Sequence, residues 1–169
     1  MSSILFTEKQ RFTQWWLWVI LLCVNVLLLY GVYYQLVEGK PFGDNPASDP
    51  VLVLVTVFII LLTISFYIFQ LETEIRTDGI YVRPFPFAKN FRRYPWEEIS
   101  KSFVREYSAL REYGGWGFRL GIFGRGRAYN VSGNRGLQLE FTNGKRLLIG
   151  TNKPEEMTAA LQQLGKLKS

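Results

Sequence analysis

Histidine is absent from this chain and cysteine occurs once, and these two scarcities remove much familiar catalytic chemistry. The single Cys, Cys23, lies inside an apolar run, where it meets neither a metal nor a disulfide partner from the same chain. Zinc sites, Ser-His-Asp triads and Cys-His nucleophiles are excluded together, and no metal or cofactor is expected. Phosphate-loop spacings are missing as well. After Gly124 and Gly126, Tyr129 stands where a third glycine should close G-x-G-x-x-G, and no G-K-[ST] occurs, so nucleotide hydrolysis is unsupported. Two adjacent carboxylate pairs remain. Glu97 and Glu98 are neighbours on a strand and face opposite ways, while Glu155 and Glu156 occupy the first turn of a helix, where acids favour the dipole. Both pairs read as structural, and no enzymatic activity is expected.

Charge is the next absence. Val51 to Phe69 is a run of nineteen residues with none, which at 1.5 Å per residue spans roughly 28 Å, the hydrocarbon thickness of a bilayer. A second apolar run extends from Thr13 to about Leu36, with Asn25 its one strongly polar interior residue. Trp15, Trp16 and Trp18 stand at one end and Tyr30, Tyr33 and Tyr34 at the other, as interfacial belts require. Two transmembrane helices are therefore predicted, at about residues 13–36 and 51–70, forming a hairpin domain over residues 1–71. The first run begins too polar and runs too long for a secretory signal, and no small-x-small cleavage site follows it. Transport and proton pathways usually need ionisable groups in such interiors, so a transporter is not expected. Asn25, Thr56, Thr63 and Ser65 are left to bond within the hairpin or to a partner helix.

Basic residues set the orientation. Lys9 and Arg11 precede the first helix, and Arg76, Arg83, Lys89, Arg92 and Arg93 follow the second, whereas the loop Glu38 to Pro50 holds only Lys40. The positive-inside rule puts both termini in the cytoplasm and that loop outside. A multi-pass protein of the bacterial inner membrane is the expected localisation.

From Leu71 onward the period becomes alternating. Leu71, Thr73 and Ile75 point one way, Thr77-Asp78-Gly79 supplies a turn, and Ile80 to Arg83 returns as a second strand. Further strands are predicted at Glu98 to Glu106, Gly115 to Arg119, Arg127 to Val131, Leu137 to Phe141 and Lys145 to Ile149, with Asn143-Gly144 the strongest hairpin signal. A helix closes the chain, with Asn152 as its cap, Pro154 in its first turn, and Met157, Ala160, Leu161 and Leu164 on one face.

Seven antiparallel strands and one C-terminal amphipathic helix follow the order of a pleckstrin-homology-like barrel, expected over residues 72–169. Glu72-Thr-Glu-Ile-Arg-Thr-Asp-Gly-Ile-Tyr-Val and Tyr94-Pro-Trp-Glu-Glu-Ile99 resemble the start of bacterial membrane-anchored PH-like domains. Arg111-Glu-Tyr-Gly-Gly-Trp-Gly-Phe-Arg119, Gly133-Asn-Arg-Gly136 and Leu148-Ile-Gly-Thr151 resemble motifs of small members of that group. The resemblance covers Leu71 to about Leu164 and implies a fold, not a catalytic residue set.

Candidate binding residues follow from charge and glycine. Arg111, Tyr113, Trp116 and Arg119 surround three glycines, where an indole and two arginines can hold a phosphate or carboxylate. Alternatively, Trp116 plugs the domain, the glycines allow a bulge and Arg119 pairs with Glu112 or Glu106. Arg125 and Arg127 alternate with Gly124 and Gly126, and Asn134 and Arg135 lie in a further glycine-flanked turn. Lys89, Arg92 and Arg93 form a candidate lipid-surface cluster. From Glu72 to the end there are 17 Lys and Arg against 10 Asp and Glu, a net charge of +7. The arginines are dispersed and no RNP-like aromatic pattern appears, so nucleic acid is not expected as a partner. The resulting expectation is a non-catalytic binding or scaffold module in a membrane protein complex, with an anionic-lipid sensor and an enzyme of unknown reaction as alternatives.

Overall fold

The computed structural model describes residues 3–120 and 126–168, and Arg125 and Ser169 fall outside the described residues. The chain divides into two compact units, Thr13–Ile68 and the remainder, Met1–Phe12 with Phe69–Ser169.

The helical unit holds α1, Trp15–Val32, which continues into a π-helical turn at Tyr33–Val37, and α2, Asp49–Ile68. Pro50 sits in the first turn of α2, where its missing N–H is no loss, and Asp49 suits the positive end of the dipole. Trp18 packs edge-on against Tyr67, while Gln35 Nε2 donates to Asp49 Oδ1 at 2.7 Å, so the start of each helix meets the end of the other and the pair is antiparallel. Asn25 Nδ2 donates to Thr63 Oγ1 at 2.8 Å, so its polar group is satisfied within the pair. Thr56 and Ser65 bond back to their own helix, at the carbonyls of Leu52 and Leu62. Leu22, Leu54 and Phe58 are all more than half exposed. Both helices are long and apolar enough to cross a membrane.

The β unit begins before the first helix. Strand β1, Ile4–Arg11, pairs antiparallel with β2, Gln70–Arg76, and the last rung joins Arg11 to Gln70. The two apolar helices are thus inserted into what is otherwise the turn of a β-hairpin. The sequence reading gave residues 1–71 to the hairpin, but β1 belongs with the sheet. Its inward face reads Phe6, Glu8, Gln10, all buried, so the hydrophobic alternation that marks a strand is broken by two polar residues. Both find partners far along the chain. Gln10 Nε2 donates to the Gly150 carbonyl at 2.6 Å, and Glu8 accepts from Thr151 Oγ1 at 2.6 Å and from the Asn152 amide at 2.8 Å. On the outward face Lys9 reaches Glu72 at 3.0 Å, and Arg83 holds the same carboxylate. Burial opposes the Glu72 charge, but the hydrogen bonds from Arg83 and Lys9 prevail and hold its pKa below the usual carboxylate value.

The first sheet is completed by β3, Gly79–Phe85, and β4, Arg92–Pro95, in the order β1-β2-β3-β4. Gly79 is required where it stands, because a Cβ there would collide with the Tyr94 carbonyl. The second sheet contains β5, Ile99–Glu106; β6, Gly117–Leu120; β7, Arg127–Asn130; β8, Arg135–Phe141; and β9, Arg146–Gly150, in the order β5-β8-β9-β7-β6. A short helix α3, Ala109–Tyr113, precedes β6, and α4, Pro154–Gln163, follows β9.

All seven expected strands are present, with β1 and β4 additional to them. The expected single antiparallel barrel is not what forms: the nine strands among the described residues make two sheets that are not closed into a barrel, and β7 runs parallel to β9. Helix α4 packs against β1 and β2 of the first sheet and β5 and β8 of the second. Its Met157 and Leu161 are fully buried, worth about 1.5–3 kcal/mol each. Asn152 does not cap α4. Its amide is held by Glu8 and its side chain by Ser132, and Lys153 takes the cap position. Trp96 is buried and donates to the Arg76 carbonyl at 3.1 Å, joining the 3-10 turn Trp96–Glu98 to the end of β2.

Candidate functional site

The glycine-rich segment around Trp116 divides between core and surface. Ser108 caps α3 by accepting from the Arg111 amide, and Gly114 ends it at φ +69°, a left-handed conformation that glycine adopts without strain. Tyr113 is buried, with its ring edge-on to Tyr107 at 6.1 Å. Trp116 is half-buried against a cluster of Tyr107, Ala109, Tyr113, Ala128 and Leu148. Arg119 is exposed and folds back on its own loop, donating to the Trp116 carbonyl at 3.0 Å. The carboxylate expected to pair with it belongs elsewhere. Glu112 is bound by Arg105 at 2.8 Å, and although burial disfavours the Arg105 charge, Glu112 raises its pKa above the ordinary value. Glu106 lies 3.5 Å from Arg135, which also reaches Glu155 at 3.3 Å. Arg111 is exposed, and Asn134 contributes its backbone carbonyl to the Tyr107 amide at 2.8 Å. Arg135 is therefore already compensated by two acids.

A different set of cations converges. Arg92 and Arg93 of β4, Arg127 at the start of β7, and Lys145 and Arg146 at the start of β9 line one cleft of about 600 Å³. Tyr94, Phe141 and Leu147 also line it, and Glu98 is the one acidic side chain among its described lining residues. Local structure makes this convergence. The Asn143-Gly144 turn is held by Asn143 Oδ1 accepting from the Lys145 amide at 3.1 Å, and so presents Lys145 and Arg146 at the head of β9. The parallel β7–β9 register then sets Arg127 beside Leu147. Gly126, at φ +86°, passes so close to the Arg146 carbonyl that a side chain there would collide with it.

The five cations are unequal. Arg93 is paired with Asp78 at 3.3 Å and Arg146 with Glu140 at 3.2 Å. Arg92, Arg127 and Lys145 are exposed and form no ion pair with a carboxylate among the described residues. The Arg92 guanidinium stands 5.4 Å from the centre of the Tyr94 ring. Burial, and then a hydrogen bond with Tyr129, push the Tyr94 pKa well above its ordinary value, so the cleft keeps a neutral phenol beside its cations. Such a site suits an anion held by charge and hydrogen bonds together.

The structure thus joins Arg92, Arg93 and Arg127 from two separately chosen clusters and leaves Lys89 out. Lys89 is exposed in the β3–β4 connection, where its carbonyl accepts from Arg83. Lys145 and Arg146 were missed, though their position directly after the Asn-Gly turn was a usable signal. No curated protein and no solved structure matches this chain. The model of the family described as "Family of unknown function (DUF6141)" matches residues 1–165, and the chain belongs to that family.

Proposed function

We propose that the chain is a non-catalytic, membrane-anchored binding module that presents a PH-like domain at the cytoplasmic face of the bacterial inner membrane, as an accessory or assembly component of a membrane protein complex. The observation that carries this reading is the insertion of two apolar helices into the β1–β2 hairpin. Arg11 and Gln70 are paired, and the Phe12 and Phe69 rings touch at 5.4 Å, so the chain leaves and re-enters the β unit at one place. Two spanning helices then return the chain to the side from which it left, and the charge bias of the flanks assigns that side to the cytoplasm. The PH-like reading is supported by two largely antiparallel sheets and a C-terminal helix packed on both. The extra strands and the parallel pair are this chain's departures from the plain pattern.

The test is crosslinking in native membranes followed by purification of the full chain. Recovery of one defined membrane protein, in constant ratio and lost on disruption of the β unit by Trp96→Ala, is the expected result. Recovery of the chain alone from intact membranes would overturn the assembly role. A second reading, recognition of anionic lipid, is favoured by the cleft holding Arg92, Arg127 and Lys145. It predicts salt-sensitive binding of acidic phospholipid by the full chain.

A further inference from the structure

Beside the basic cleft lies a second, apolar one of about 490 Å³, and Arg92 lines both. The two are separated by a hydrogen-bonded pair of tyrosines: Tyr94 faces the cations and Tyr129 faces the apolar side. Pro84, Phe87 and Phe118 supply the apolar walls. Phe87 is 77% exposed and Phe118 48%, a large amount of aromatic surface to leave in water on either side of one groove. Phe118 is held in place by Tyr129, with ring centres 4.7 Å apart, and Phe87 rests on Phe69 at 5.7 Å. Phe69 is the residue that follows α2 in the chain.

From this pairing we infer that the two clefts form one bipartite site for a single anionic phospholipid, its phosphate taken by Arg92, Arg127 and Lys145 and an acyl chain laid between Phe87 and Phe118. The inference rests on the lipid reading above and deepens it. A surface attraction to acidic headgroups needs only the cations, whereas a bipartite site also reads the tail. Charge complementarity selects the anion, because three cations lack a carboxylate partner among the described residues. The neighbouring groove selects the tail over a peptide. Among the described residues its only side-chain hydrogen-bonding groups are the Arg92 guanidinium and the Tyr129 hydroxyl, and the latter is already engaged by Tyr94. Arg92, shared by both clefts, stands where a phosphate joins its glycerol ester.

Calorimetric titration of the full chain in neutral maltoside micelles, against blanks of empty micelles, tests this with three probes: dihexanoyl phosphatidic acid, glycerol 3-phosphate and dihexanoyl phosphatidylcholine. Phosphatidic acid should bind at least about tenfold tighter than glycerol 3-phosphate, since each buried methylene contributes about 0.8 kcal/mol, and phosphatidylcholine should bind more weakly than phosphatidic acid. The double variant Arg127→Gln/Lys145→Gln should weaken both phosphate ligands about thirtyfold, from about 1 kcal/mol per basic residue. Phe87→Ser should leave glycerol 3-phosphate binding unchanged and remove much of the acyl increment. Phe118→Leu, which keeps an apolar contact on Tyr129, guards against a folding defect and should show a smaller loss in the same direction. Equal binding of phosphatidic acid and glycerol 3-phosphate, or indifference to Phe87→Ser, would overturn the bipartite site while leaving the anion cleft standing. Equal binding of phosphatidylcholine would overturn the selection by charge. Binding of neither phosphate ligand would overturn both this inference and the lipid reading beneath it.

Discussion

Replacing Glu8 by Ala tests the placement of β1, because the strand's inward face is held by polar contacts that only the folded β unit supplies. Glu8 is buried and accepts from the Thr151 hydroxyl at 2.6 Å and from the Asn152 amide at 2.8 Å. Thr151 is itself buried, so its hydroxyl would be left without an acceptor, at about 1–3 kcal/mol, while the part-buried Asn152 amide regains water at about 1 kcal/mol. The sum is about 2–4 kcal/mol, a lowering of the melting temperature on the order of 10–20 °C for a unit of this size. Alternation along the strand provides the control. Lys9 points outward, its side chain half exposed, and pairs with Glu72, so Lys9→Ala should cost about 0–1 kcal/mol. Gln10 points inward and donates to Gly150, so Gln10→Ala should resemble Glu8→Ala. Melting of the full chain in mild detergent, followed by near-ultraviolet circular dichroism, reads all three. A pattern of large, small, large at positions 8, 9 and 10 is expected. Equal small shifts at all three would mean that the segment is merely the flank of a helix, and the inserted-hairpin architecture would fail with it.

Trp96→Ala should lower stability by about 3–5 kcal/mol, since it empties a buried site and strands the Arg76 carbonyl; a melting temperature within a few degrees of wild type would refute its core role. In alkali, burial pushes the Tyr107 hydroxyl up to about 12. Its folded pKa lies above its unfolded one, so its contribution to stability is intact below pH 10 and is lost as pH rises toward 12. Tyr107→Phe should flatten the fall in stability across that interval, and an unchanged slope would refute it. For topology, single cysteines placed at Ser48 and Lys101 in a Cys23→Ser background should differ in intact cells. An impermeant maleimide should label position 48 only, and preferential labelling at position 101 would reverse the orientation.

Much of the β unit was legible because its strands obey a simple pattern. Leu71, Thr73 and Ile75 alternate inward, Thr77-Asp78 and Asn143-Gly144 turn the chain where those residues favour it, and the α4 stripe buries Met157, Ala160 and Leu161. The two strands that were missed lack such marks. β1 turns a carboxylate and an amide inward, which is tolerable only because Thr151, Asn152 and Gly150 wait more than a hundred residues away. β4 is four residues long, begins with two exposed arginines and ends at a proline. The cleft was half visible for a related reason. Charge clusters show in a linear sequence, but their meeting depends on β7 joining β9 in parallel, a pairing set by tertiary packing. Hence Arg127 was noticed beside the glycines around it, and its proximity to Lys145 and Arg92 was not.

The inserted hairpin also changes what can be cut from this protein. A boundary at residue 71 looks natural from hydropathy, yet a fragment beginning at Glu72 would lack β1, its seven rungs to β2 and the polar contacts of Glu8 and Gln10 to the loop after β9. It would expose what is left of β2 as a new edge carrying Thr73 and Ile75, the composition that invites pairing with another chain. Folding of the β unit therefore requires residues on both sides of the helices, and β1 can dock only after the second helix and the strands beyond it have been made. The helical unit and the β unit are consequently one folding problem: the long excursion through the helices must close before the first sheet is complete. The adjacent, buried rings of Phe12 and Phe69 mark the point of closure. Glycine substitution at both should then loosen the β1–β2 ladder first at Arg11 and Gln70, as faster amide exchange at those residues than at Phe6 and Ile75.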